Sequence, residues 1–259
     1  MNNAGIGVFG PLELVPIERF RRELEVNVTG QLAVTQAALP LLRRAHGRIV
    51  MIGSIGTRFT PPFVGPLAAS KSTVTTMSDA LRQELAPWDI RVSVVEPGSI
   101  RSDAVDKLED DARAVLDEAT AEGRALYETA FRHLVDFFAR LHENGSAPDV
   151  VAKTVEHALR TSRPRSTYLS GRNARRMATI ARLLPVPAQD ALRRRLARQP
   201  APGSLAGPAP ADDTDDPGAA TDALTMPRPL MNRDRASGRS GRTTGRGRWW
   251  DRRGRPTTP

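Results

Sequence analysis

Apolar positions beginning after Pro16 recur about every 3.6 residues, the period of an amphipathic helix. Phe20, Leu24, Val28, Gln31, Val34, Ala38 and Leu41 share that spacing and are the expected inward face. Glu18 supplies first-turn acid, Arg43 and Arg44 lie near the end, and Gly47 closes the segment. Residues 47–54 then form a short, branched, apolar run without alternation, which predicts a strand buried on both faces. A polar loop with prolines leads to Pro66. A second helix is expected over residues 67–86, with Val74, Met77, Leu81 and Leu85 inward. A second strand spans Ile90 to Val95 and stops at Pro97 and Gly98.

The pattern continues as a charged helix over residues 103–123. An apolar-faced helix follows over 125–141, with Phe131, Leu134, Val135, Phe138 and Leu141 inward. Residues 148–159 read as a capped helix facing inward through Val151, Val155 and Leu159. Residues 167–169 form a candidate short strand, and 171–198 a basic helical pair broken at Pro185 and Pro187. Helix and strand alternating at this spacing predict an α/β fold with a doubly wound parallel sheet.

Composition divides the chain. Residues 1–198 read as one folded domain, and residues 199–259 as a disordered tail rich in Pro, Gly, Asp and Arg. Residues 201–227 carry five aspartates and no basic residue, whereas 228–259 carry ten arginines against two aspartates, with Trp249 and Trp250 among them. These opposed blocks would attract each other weakly, more so at low salt. The formal charge of +9 comes from 35 Arg and 3 Lys against 29 acids. This arginine bias fits a GC-rich coding sequence better than a surface built for polyanions, so nucleic acid is not the expected partner.

The absence of cysteine excludes disulfides, thiolate nucleophiles and cysteine metal sites. Histidines 46, 133, 142 and 157 lack metal-ligand spacing, so no metal is expected. No apolar run reaches the ~20 residues of a membrane span, and no signal peptide is visible, so the cytosol is the expected location.

Asn2-Asn3-Ala4-Gly5 resembles the segment that ends the fourth strand of short-chain dehydrogenases/reductases. Val26 to Gly30 resembles the family's helical segment carrying its catalytic asparagine, here Asn27. Ser54 resembles the catalytic serine. Ala69-Ser70-Lys71 resembles the end of the tyrosine-x-x-x-lysine motif, and Pro97 to Ser102 the loop that holds nicotinamide. The five motifs stand in family order over residues 1–195, nearest to members that resemble retinol and steroid dehydrogenases.

The resemblance implies a Rossmann-like fold, NAD or NADP as cofactor, and a small hydrophobic alcohol or carbonyl substrate. It implies catalytic roles for Asn27, Ser54 and Lys71, and cofactor contacts from Asn3, Ala4, Gly5, Lys71, Pro97, Gly98, Ile100 and Ser102. A homodimer or tetramer is implied for a full-length member.

Two departures stand out. No glycine-rich strand–turn–helix precedes the motifs, so a truncated start is expected. About 80 residues with three strands would precede Met1 in a complete family fold, and their absence would leave a sheet edge exposed. Leu67 also occupies the tyrosine position, four residues before Lys71 and 13 after Ser54. The chain's tyrosines, Tyr127 and Tyr168, lie outside that helix. An impaired oxidoreductase is therefore expected. The alternative is an inactive relative that acts by binding or oligomerisation.

Overall fold

Burial of both faces governs the centre of the fold. Strand β1 (Arg48–Ile52) sends Ile49 and Met51 to one side and Val50 and Ile52 to the other. Strand β2 (Arg91–Pro97) does the same with Val92 and Val94 against Val95. A computed structural model describes residues 1–102 and 104–205. In it β1, β2 and β3 (Thr167–Ser170) form a parallel sheet in that order, with Ile52 opposite Val95 and Val94 opposite Thr167. Asn2 adds one parallel bridge to the outer edge of β1, opposite Met51.

Helices cover both faces, giving the α/β arrangement expected from the pattern and the Rossmann-like fold implied by the resemblance. Helix α2 (Gln31–Ala45) and helix α3 (Gly65–Glu84) lie on one side, where Leu39, Leu42, Val74, Leu81 and Leu85 pack on Ile49, Met51, Val92 and Val94. Helix α6 (Asp149–Arg160) covers the other side through Val151, Val155 and Ala158. Each large apolar side chain buried here contributes roughly 1.5–3 kcal/mol. Arg48 ties α6 to the sheet by donating to the carbonyls of Ala158 (3.1 Å) and Thr161 (2.5 Å). A cation there also suits the negative end of the helix dipole.

Helices α4 (Ala104–Glu118) and α5 (Ala121–Glu143) build a separate apolar cluster over the start of α3. Leu108, Ala112, Leu116, Phe131, Leu134 and Val135 surround Phe63 and Val64 there. Helices α7 (Ala174–Leu183) and α8 (Val186–Leu196) follow β3. The expected tail, residues 199–259, lies outside the described residues apart from 199–205.

Four expectations change. Helix α1 (Ile17–Leu24), a π-helical turn (Glu25–Gly30) and α2 run on continuously, but the buried stripe is Glu23, Asn27, Gln31 and Thr35. Val34 and Leu41, expected inward, are about 60 % exposed (60 % and 62 %). The element packed on this rod is an extended backbone, residues 2–8, whose N–H and C=O groups require polar partners. In α6 the inward residue of the last turn is Ala158, and Leu159 is 40 % exposed. Pro187 does not break the basic pair. It sits in the first turn of α8, where a missing N–H costs nothing, and the break is at Leu184 and Pro185. His46, not Gly47, takes the left-handed conformation at the end of α2 (φ 47°).

Candidate active site

Strands of a parallel sheet end on one edge, and ligands of such folds gather there. The candidate site is built from three chain segments at that edge. Residues 3–5 follow the Asn2 bridge, Ser54 follows β1, and the 97–102 loop follows β2.

The first segment lies along the polar stripe of the α1–α2 rod, two residues per helical turn. Asn2 Nδ2 donates to Thr35 Oγ1 (2.8 Å), and Gln31 Nε2 donates to the Ala4 carbonyl (2.9 Å). Asn27 both accepts from the Ile6 N–H and donates to the Ile6 carbonyl, each at 2.8 Å. The Val8 N–H donates to Glu23 Oε2 (3.0 Å). Two residues of extended chain advance roughly 6.6–6.8 Å and four helical residues roughly 6 Å, so positions 2, 4, 6 and 8 meet 35, 31, 27 and 23 in turn.

Helix α3 brings Lys71 to this rail. Lys71 is buried (9 % exposed), and its Nζ donates to the Ile52 carbonyl (3.0 Å) two residues before Ser54. Burial lowers its pKa, and the nearby Glu23 partly restores it. A Cβ added to Gly5 would lie 3.0 Å from Asn27 Oδ1 and 3.4 Å from Lys71 Nζ, so Gly5, Asn27 and Lys71 converge on one point. The Asn27 side chain is completely buried in the π-helical turn. Such turns interrupt regular helices frequently at functional sites.

Ser54 is half-buried and caps a short 3₁₀ turn, its Oγ accepting from the Gly56 N–H (3.1 Å). Asn3 and Ala4 are exposed. Gly98 donates its N–H to the Ser170 carbonyl (2.8 Å), and a Cβ there would strike the Arg172 carbonyl at 2.2 Å, so only glycine fits. Pro97 ends β2, Ile100 bridges to Ser146, and Ser102 is exposed. These residues line the same edge but are not bonded to Lys71.

Leu67 stands one turn before Lys71 and packs into the α4–α5 apolar cluster beside Phe9, Phe63 and Tyr127. Neither tyrosine hydroxyl fills the gap. Tyr127 donates its hydroxyl to Glu13 (2.5 Å), which raises its pKa, the wrong direction for an acid–base catalyst near neutrality. The Tyr168 hydroxyl accepts from the Arg165 N–H (2.9 Å) on the far face of the sheet.

Sequence reading missed the groups behind the site. Glu23 is fully buried, and desolvation pushes its carboxyl up to about 7 against hydrogen bonds that pull it down. Ser70, also fully buried, donates to Glu23 Oε1 (2.7 Å). Glu96, 1 % exposed at the end of β2, is held by a two-pronged bond from Arg58 in the loop after Ser54. The usable signal for the first set was a polar side chain at every fourth position, at Glu23, Asn27, Gln31 and Thr35.

The described residues contain no cluster of three or more potential metal ligands, and no helix long and apolar enough to cross a membrane.

Comparison with known proteins points to the same family. The short chain dehydrogenase family matches residues 1–113. The chain is 32 % identical over 194 residues to 3-amino-tetrahydro-pyrrolizinone reductase of Xenorhabdus hominickii, covering 73 % of this chain and 67 % of that protein. It is 31 % identical to estradiol 17-beta-dehydrogenase 2 and 34 % identical to retinol dehydrogenase 7, both of Rattus norvegicus. It spans 51 % and 62 % of those two, with 73 % and 74 % of this chain matched. A short-chain dehydrogenase from Burkholderia cenocepacia, solved in complex with NADP, superimposes with TM-score 0.52 at 27 % identity, over 75 % of this chain and 66 % of that one. Another from Streptomyces avermitilis shares the fold, with TM-score 0.55 at 24 % identity over 76 % of this chain and 66 % of that one. With its motifs converging on one sheet edge and its sequence shared with these relatives, the chain belongs to the short-chain dehydrogenase family.

Proposed function

We propose that this chain carries the catalytic part of an NAD(P)-dependent oxidoreductase for a hydrophobic alcohol or carbonyl substrate, and that Leu67 leaves it slow. The observation that carries the reading is the buried Lys71 ammonium beside Asn27 and Gly5, with an aliphatic side chain one turn earlier.

The donor set suits the nicotinamide end of the cofactor. Lys71 uses one of its three N–H donors on Ile52, leaving two for ribose hydroxyls. The exposed backbone of Gly5 has no Cβ to keep a ring away. Asn3, Ala4, Pro97, Gly98, Ile100 and Ser102 would line the rest. When bound, the cofactor supplies or accepts a hydride.

Hydride addition to a carbonyl leaves negative charge on oxygen, and a proton must reach it. Ser54 offers a hydroxyl that can polarise the carbonyl. Lys71 offers positive charge, and Asn27 fixes the segment beneath it. Leu67 offers neither proton nor hydrogen bond, and losing a positioned acid or base costs about 10²–10⁴ in rate. The apolar wall of Phe9, Phe63, Leu67 and Phe138 favours a hydrophobic substrate, in keeping with relatives named for retinol and estradiol.

The test is Leu67→Tyr in the chain extended at its N-terminus by a glycine-rich nucleotide-binding segment, assayed with NADH and NADPH against hydrophobic ketones and aldehydes. Turnover is expected to rise, and Lys71→Met should abolish it. A bound cofactor with no gain in rate would overturn the reading.

Leu67 also favours a second reading, a family member that acts by binding or assembly. The exposed Val34 and Leu41 of α2 offer an apolar stripe for a dimer or tetramer. Cofactor-independent self-association, with no turnover by either form, would select it.

A further inference from the structure

We propose that Glu23 is a positioning residue that takes up and releases a proton behind the site, and that the Ser70 hydroxyl is the rotor carrying this change to Asn27 and to the residue-67 end of α3. The proposal rests on reading Asn27 and Lys71 as site residues.

The geometry accommodates both forms of the carboxyl. Ser70 Oγ lies 2.7 Å from Glu23 Oε1, 3.0 Å from the Leu67 carbonyl and 3.0 Å from Asn27 Nδ2. With Glu23 ionised, Oε1 accepts from the Ser70 hydroxyl and, at 3.3 Å, from Asn27 Nδ2, while Oε2 accepts from the Val8 N–H. When one proton enters on Oε1, that oxygen becomes the donor to Ser70 Oγ. The Ser70 hydroxyl then turns to the Leu67 carbonyl, already at bonding distance. One proton is gained, no heavy atom moves, and each polar side-chain atom of Glu23, Asn27 and Ser70 keeps a partner. The change of charge is felt on one side by Asn27, which clamps Ile6, and on the other by the backbone one turn before Lys71.

The surroundings set where the proton binds. Burial opposes the carboxylate, and the charge of Asp111 on α4, itself near Arg19 (3.9 Å), opposes it further. The Ser70 and Val8 hydrogen bonds and the Lys71 ammonium on α3 favour it. The balance leaves the carboxyl at about 7, within the range a cell traverses.

The experiment is an NMR titration of the full chain from acid to alkaline pH. It follows the Asn27 side-chain amide and the Lys71 Nζ in the original protein, Glu23→Gln and Ser70→Ala. Both signals are expected to move with a shared midpoint near neutrality in the original protein and to lose that transition in Glu23→Gln. In Ser70→Ala the midpoint should rise by about one pH unit, because the carboxylate loses a charge-assisted hydrogen bond. Signals that stay flat in the original protein, titrate equally in Glu23→Gln, or keep the same midpoint in Ser70→Ala would each overturn the proposal. Should Glu23→Gln not fold, the Ser70→Ala midpoint decides alone. No readout needs cofactor or turnover, so a failed oxidoreductase assay and a failed titration are separate results.

Discussion

Helix α3 divides the candidate site into two regions of opposite character, one turn apart. Lys71 belongs to a polar floor, where Glu23, Asn27 and Ser70 are buried and bonded to one another. Leu67 belongs to an apolar wall, shared with Phe63, Phe131 and Leu134. The floor holds buried polar and titratable groups, whereas Leu67 presents the wall with an aliphatic side chain that has no proton to give. On the function proposed above, the electrostatic framework would be kept while the group that delivers the proton is lacking.

Giving the wall a hydroxyl should have the largest effect. Leu67→Tyr is expected to raise kcat by about 10²–10⁴, roughly 3–5 kcal/mol of barrier, read as NAD(P)H consumption. An unchanged kcat would mean that the wall is not what limits turnover. Hollowing the wall tests its packing instead. Phe131 is fully buried, so Phe131→Ala should lower stability by about 3–5 kcal/mol in a denaturant titration.

Glu23→Gln probes the floor. The folded carboxyl sits at about 7, above its usual value of 4.5, so the folded state favours the protonated form. Its contribution is therefore fully present below about 4.5. It declines as pH rises to about 7 and is absent above that, a span of roughly 3 kcal/mol. Stability curves against pH should show this fall in the original protein and a flatter line in Glu23→Gln. Parallel curves would remove Glu23 as the source. The smallest effect is expected where the loop after Ser54 meets the end of β2. Arg58→Ala strands Glu96 in the interior, but Arg58 is itself 42 % exposed, so a loss of about 2–3 kcal/mol is expected. A drop under 1 kcal/mol in the same titration would show that water replaces the guanidinium.

The sheet and the wall were readable in advance because their physics is one-dimensional. Branched runs such as residues 49–52 suit few structures other than buried strands, and Val74, Leu81, Phe131 and Leu134 bury where their spacing puts them. Lys71 and Leu67 were placed by motif register alone. The floor was hidden for a physical reason. A periodic search seeks apolar residues and so selects Val34 and Leu41, whereas the true partner was a polypeptide backbone that binds polar side chains. The Arg58–Glu96 pair joins residues 38 apart, and nothing local announces it. Leu159 illustrates a smaller limit: beside Ala158, spacing favoured the larger residue, but close packing on the sheet took the smaller one.

The alternating grip on residues 2–8 leaves a dynamic fingerprint. This stretch has a single strand bridge and no helical turn, so its shape is maintained from outside, like a rail seated in cleats. The amides of Ile6 and Val8 are engaged by side chains, while among the described residues those of Asn3, Ala4, Gly5 and Gly7 engage nothing. Hydrogen exchange should therefore be slow and fast on neighbouring residues of one short segment. Loosening Asn27 or Glu23 should erase that contrast before the sheet itself opens.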